Sequence, residues 1–111
     1  PLFAGLAARG HRWRAADRKS RRGSEASGLA DALRLLGQGA QPYLGDRLGE
    51  LPMPVLLVAG AEDERYAALA RDMAERIASA QVALVPGAGH AVVGEKPAEV
   101  AALVTAWVVP Q

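Results

Sequence analysis

Cysteine is absent from the 111 residues, which excludes a disulfide, a thiolate nucleophile and any cysteine-based metal centre. Histidine is scarce. His11 and His90 stand far apart in the sequence, an arrangement that argues against a zinc site, and the expectation is a chain that uses no cofactor. No apolar run approaches the ~20 residues that a membrane span needs. The N-terminus has no basic segment followed by an apolar core and a cleavage site, so no signal peptide is read; the expected location is the cytoplasm. Charge of one sign is not in excess either. A formal net charge of +1 gives no argument for nucleic acid or a membrane surface as partner. Repeats at solenoid periods are missing as well. The chain opens on Pro1 rather than methionine, and the expectation drawn from this is a fragment, a processed chain or part of a larger gene product.

What is present is apolar substance: half of the residues are hydrophobic and 23% are charged, enough for a packed core with an ordinary surface. Residues 1–50 read as helical and irregular. Within them, residues 9–22 hold six arginines, one lysine and one aspartate, a basic helix with Trp13 as its large apolar residue. Leu29, Leu33 and Leu36 mark a short amphipathic helix ended by Gly37. Residues 51–111 read as two strand–helix units. Pro52 and Pro54 bracket the entry to Val55-Leu56-Leu57-Val58-Ala59, which Gly60 stops. A continuous apolar run between breakers suits a strand buried on both faces of a parallel sheet. Tyr66, Leu69, Ala70, Met73 and Ile77 then fall on one helical face. Val82 to Val85 form a second apolar run, ended by Pro86-Gly87. A last helix begins near Pro97, a good first-turn residue, with Val100, Leu103, Val104 and Trp107 along one side, and Pro110 ends it. The class is α/β. Strands joined by a helix should run parallel with a right-handed crossover. A pair of strands cannot bury both its faces, so further strands are expected from the missing N-terminal part of the fold.

Ligands of parallel α/β sheets bind at the carboxyl ends of the strands. Here those ends lead into Gly60-Ala61-Glu62-Asp63 and Pro86-Gly87-Ala88-Gly89-His90, which must lie on one sheet edge. A carboxylate from the first loop can therefore meet His90. An Asp bonded to one imidazole nitrogen fixes the tautomer and leaves the other nitrogen as a general base. Asp63 is the candidate, with Glu62 and Glu64 as competing carboxylates. Gly87 and Gly89 are expected to let the backbone turn before His90.

Pro54 to Asp63 resembles the acid-bearing strand and loop of the α/β-hydrolases, and Gly87-Ala88-Gly89-His90-Ala91-Val92 with Glu95-Lys96-Pro97 resembles their histidine loop and last helix. The resemblance implies a partial α/β-hydrolase fold, with residues 1–50 as a helical lid and 51–111 as the C-terminal part of the core. It also favours Asp63, at the third position after Gly60, as the triad acid and His90 as the triad base, in the order Ser, Asp, His. A narrower resemblance lies in Pro1-Leu2-Phe3-Ala4, Arg18-Lys19-Ser20-Arg21, Gly28-Leu29-Ala30 with Leu33-Arg34, and Gly37-Gln38-Gly39-Ala40-Gln41-Pro42. These segments resemble the lid of the MenH family, the 2-succinyl-6-hydroxy-2,4-cyclohexadiene-1-carboxylate synthases of the menaquinone pathway. The family's triad abstracts a proton and eliminates pyruvate. This resemblance implies a small-molecule carboxylate as substrate, with Arg21, and next Arg18, to bind it, since a guanidinium fork matches a carboxylate. Gly45 departs from the family's usual aromatic, and Gly5 to Asp17 match poorly. The triad serine should sit in G-x-S-x-G, yet Ser20, Ser24, Ser27 and Ser79 all lack that context. The expectation is therefore a C-terminal fragment of a MenH-like lyase, inactive alone. The alternatives are a fragment of an esterase-type hydrolase, or a non-catalytic remnant that needs a partner chain.

Overall fold

The computed structural model describes residues 4–8 and 10–109. The expectations for Pro1, Leu2, Phe3, Arg9 and Pro110, and for the side chains of His11 and Trp13, lie outside the described residues.

In chain order the elements are α1 (Ala4–Ala7), α2 (His11–Arg22), α3 (Ala26–Leu36), a 3-10 helix at Gly45–Glu50, β1 (Val55–Gly60), α4 (Glu64–Arg76), β2 (Ala80–Val85), α5 (Val92–Glu95) and α6 (Pro97–Val108). The basic segment forms α2, whose last turn carries Lys19, Arg21 and Arg22. Cations there complement the partial negative charge of a helix C-terminus. Asp17 pairs with Arg21 one turn on, at 3.0 Å. The leucine stripe forms α3, and Gly37 ends it by donating its N–H to the Leu33 carbonyl. No residue of α3 is buried, and Leu33 is 73% exposed. The stripe predicted from spacing is present but uncovered.

The two apolar runs pair as a parallel sheet, in the register Val55↔Ala80 through Gly60↔Val85. With α4 between them they form the expected β-α-β unit. Strand side chains alternate between faces. Val58 and Val85, two positions apart in this register, therefore share a face and meet Val92, Val100 and Leu103 around Ala88. Val85 is the largest fully enclosed side chain, 1% exposed. α4 lies against both strands.

Two details of the helical faces differ from the sequence expectation. Ala70 and Ile77 of the expected α4 face are buried, but Leu69 is 44% exposed and Ala67, outside the expected stripe, is buried in its place. Small alanines let a helix approach the sheet more closely than a leucine ridge would. In α6, Val104 is exposed while Val100, Leu103 and Trp107 are half-buried. Among the described residues, no helix is long and apolar enough to cross a membrane. The radius of gyration, 16.6 Å, exceeds the ~13 Å expected of a compact chain this long. An open arrangement of that kind matches the uncovered α3.

Candidate active site

The loops leaving β1 and β2 are stitched together by main-chain hydrogen bonds. Ala61 N–H donates to Val85 O at 2.9 Å, continuing the strand ladder, and Glu62 N–H donates to Ala88 O, also at 2.9 Å. Asp63 N–H closes a turn on Gly60 O at 3.0 Å. This contact requires glycine at position 60, because a Cβ there would run into the carbonyl oxygens of Ala88 and Gly89. Gly87 takes φ +70°, a conformation that side chains other than glycine's disfavour. Gly89 does not share it, so only the first of the two expected glycine turns rests on positive φ.

Asp63 and His90 are brought together. His90 Nδ1 and Asp63 Oδ2 lie 2.8 Å apart, with side chains 25% and 10% exposed. Glu62 and Glu64, the competing carboxylates, are exposed. Asp63 is also the N-cap of α4, and its Oδ1 accepts from Tyr66 N–H at 3.4 Å. One carboxylate therefore binds the imidazole and closes the helix start, a position where an acceptor suits the unpaired N–H groups. The Tyr66 ring lies against the imidazole, with centroids 4.5 Å apart and planes inclined by 54°. Gly89 N–H, immediately before His90, donates to Glu95 Oε1 at 3.0 Å.

A cleft of about 200 Å³ opens here, lined by Glu62, Asp63, His90 and Glu95 and bounded by Ala4 and Gly5 of α1. That is less than the ~300 Å³ at which small-molecule pockets usually begin. Chemically, the pair can accept a proton at Nε2 while Asp63 holds Nδ1–H. No group of three His, Asp or Glu side chains that could hold a metal ion occurs among the described residues.

The structure does not bring Arg18 or Arg21 into the lining of this cleft. Arg18 borders a shallow depression on α2 with Lys19 and Arg22, while Arg21 pairs with Asp17. Two neighbours of His90 were not read as site residues from the sequence. Tyr66 looked like one more apolar position on a helix face, and Glu95 entered only as part of the segment that resembles the hydrolases' histidine loop and last helix, with no role of its own. The signal for Glu95 was its place, five residues after His90 at the end of a short Gly-containing turn.

The model of the alpha/beta hydrolase family matches residues 1–103. A Bacillus subtilis (strain 168) protein provisionally named 2-succinyl-6-hydroxy-2,4-cyclohexadiene-1-carboxylate synthase is 40% identical over 70 residues, which is 63% of this chain and 26% of that protein. The Serratia proteamaculans (strain 568) protein named as the same synthase is 36% identical over 90 residues, covering 81% of this chain and 32% of its own length. The structure of MenH from S. aureus superimposes with a TM-score of 0.85 at 28% identity, over 97% of this chain and 41% of that one. The chain thus spans about a quarter to two fifths of the length of these relatives, and its two-stranded sheet matches part of the larger fold.

Proposed function

The chain belongs to the alpha/beta hydrolase family, and on that footing we propose that Asp63 and His90 are the acid and the base of a catalytic triad in a MenH-like lyase. The observation that carries the reading is the 2.8 Å contact between His90 Nδ1 and Asp63 Oδ2, made by loops that leave neighbouring parallel strands. The names of the similar proteins support the choice of chemistry. In this reading Asp63 holds the Nδ1–H tautomer, and Nε2 takes the proton of a serine hydroxyl supplied by residues outside this sequence. The activated serine oxygen removes a proton from the substrate. The electron pair left on carbon forms a new double bond, a carbon–oxygen bond breaks, and the departing enolate takes up the proton held by His90 to leave as pyruvate. The product is 2-succinyl-6-hydroxy-2,4-cyclohexadiene-1-carboxylate, made in the cytoplasm for menaquinone. Arg21 and Arg18 would pair with substrate carboxylates once α2 closes over the cleft.

The test is pyruvate release by the full open reading frame, with Asp63→Ala and His90→Ala beside it. Loss of activity in both variants is expected, and full activity in both would sink the reading. A second reading follows from the family's description as alpha/beta hydrolases: an esterase-type hydrolase using the same pair. Turnover of simple esters, with none of the cyclohexene substrate, selects it. Turnover of neither selects a non-catalytic remnant.

A further inference from the structure

Glu95 lies in the same cleft but takes no part in the proton transfers just described. It ends α5, whose first residue, Val92, is buried with Val85 and Ala88. This anchor sets the direction of the short helix and returns Glu95 to the histidine loop. Glu95 Oε1 accepts from Gly89 N–H at 3.0 Å. Oε2 is buried and has no hydrogen-bond partner among the described residues. On the opposite side lies Gly5 of α1, where a Cβ would overlap the carboxylate. The group is therefore packed between the amide that precedes His90 and a helix that can approach because its residue there is glycine. Burying a carboxylate oxygen without a partner opposes folding, so net stabilisation is a poor account of this side chain. Its one bond goes to the backbone from which the imidazole projects.

We infer that Glu95 is a positioning residue for His90, acting through Gly89, and that Gly5 keeps its carboxylate in place. Among the described residues, three contacts then hold the imidazole: Asp63 bonds its Nδ1 edge, the tilted Tyr66 ring packs against it, and Glu95 bonds the main chain just before it. Small misplacements of a catalytic group have large effects on rate, which gives such a clamp its value. The inference rests on the reading of His90 as the triad base, but its test does not depend on turnover.

The experiment uses the ¹⁵N-labelled product of the full open reading frame and its variants Glu95→Ala, Glu95→Gln and Gly5→Ala, with the amide signals of β1 and β2 as the check of folding. Two signals are followed: hydrogen exchange of the Gly89 amide, and the His90 Nδ1 proton bonded to Asp63. Glu95→Ala is expected to speed Gly89 exchange about tenfold, the loss of one charge-assisted hydrogen bond, and to abolish the Nδ1 proton signal. Glu95→Gln keeps both signals, because its amide oxygen accepts the same bond. Gly5→Ala favours a helical α1 by propensity, yet reproduces Glu95→Ala because its Cβ displaces the carboxylate. An Nδ1 signal unchanged in Glu95→Ala overturns the inference. So does loss of both signals in Glu95→Gln, or parent-like behaviour of Gly5→Ala. Should Glu95→Ala fail to fold, the other two variants decide. Full pyruvate release after His90→Ala would defeat the triad reading, while the signals of the Glu95 and Gly5 variants, in which His90 is present, would still decide the positioning role.

Discussion

Asp63→Asn separates the two duties of a single carboxylate. In the native chain Oδ2 bonds His90 at 2.8 Å and Oδ1 caps α4 through Tyr66 N–H at 3.4 Å. Both contacts need an acceptor, and a carboxamide has only one oxygen. If that oxygen faces His90, the amide NH₂ meets the Tyr66 N–H and the cap is lost, at about 1 kcal/mol. If it faces Tyr66, the NH₂ meets Nδ1 and forces the imidazole into the Nε2–H tautomer. The charge-assisted bond then goes, worth about 1.5–3 kcal/mol, and Nε2 can no longer accept a proton. Either way stability falls by about 1–3 kcal/mol. With an m-value of about 2 kcal/mol/M in urea, the unfolding midpoint drops by about 1 M. Activity of the full reading frame falls by about 10⁴-fold if the tautomer switches, the size seen when a triad Asp becomes Asn. Urea unfolding and ¹⁵N imidazole spectra measure the two effects. Asp63→Ser completes the comparison: its hydroxyl can cap α4 but is too short to hold His90, so it should lose the Nδ1 bond while keeping most of the stability. An Asn variant with an unchanged midpoint and an unchanged Nδ1–H tautomer would refute the shared-carboxylate account.

Gly60→Ala forces a methyl against the carbonyls of Ala88 and Gly89; it should cost about 1–3 kcal/mol and weaken the Glu62–Ala88 bond, seen as faster exchange of the Glu62 amide. Val85→Ala removes the most enclosed large side chain of the core and should lower stability by about 2 kcal/mol in denaturant unfolding, with the m-value unchanged. Leu33→Gln on the uncovered stripe of α3 should leave the same measurement within about 0.5 kcal/mol; a larger loss would show that this face is covered.

The strands were legible because prolines and glycines bound two short apolar runs, and parallel pairing followed from the helix between them. Asp63 and His90 could then be placed on one edge without knowing any distance. The choice among Glu62, Asp63 and Glu64 was not available from spacing, since all three follow the same strand. In space Asp63 is the carboxylate that meets His90: its N–H closes the turn on Gly60 O, and its own side chain lies at the start of α4. The inward stripe of α4 was hidden for another reason. The helix is rich in alanine, so the spacing that correctly placed Ala70 and Ile77 also picked out Leu69, whereas close packing on the sheet buries Ala67 instead. Glu95 escaped because its surroundings are assembled from both ends of the chain. A carboxylate beside Lys96 reads as a solvated charge until Gly5 and Gly89 are seen on either side of it.

Asp63 and His90 stand only 27 residues apart in the chain, and everything between them is one strand-to-strand excursion. Bringing the ends of a segment that long together costs about 3 kcal/mol of chain entropy, and β1–β2 pairing meets this before the side chains touch. The Asp63–His90 contact is thus a by-product of completing a single supersecondary unit. Its assembly should keep pace with sheet formation during folding and need not wait for α1, α2 or α3.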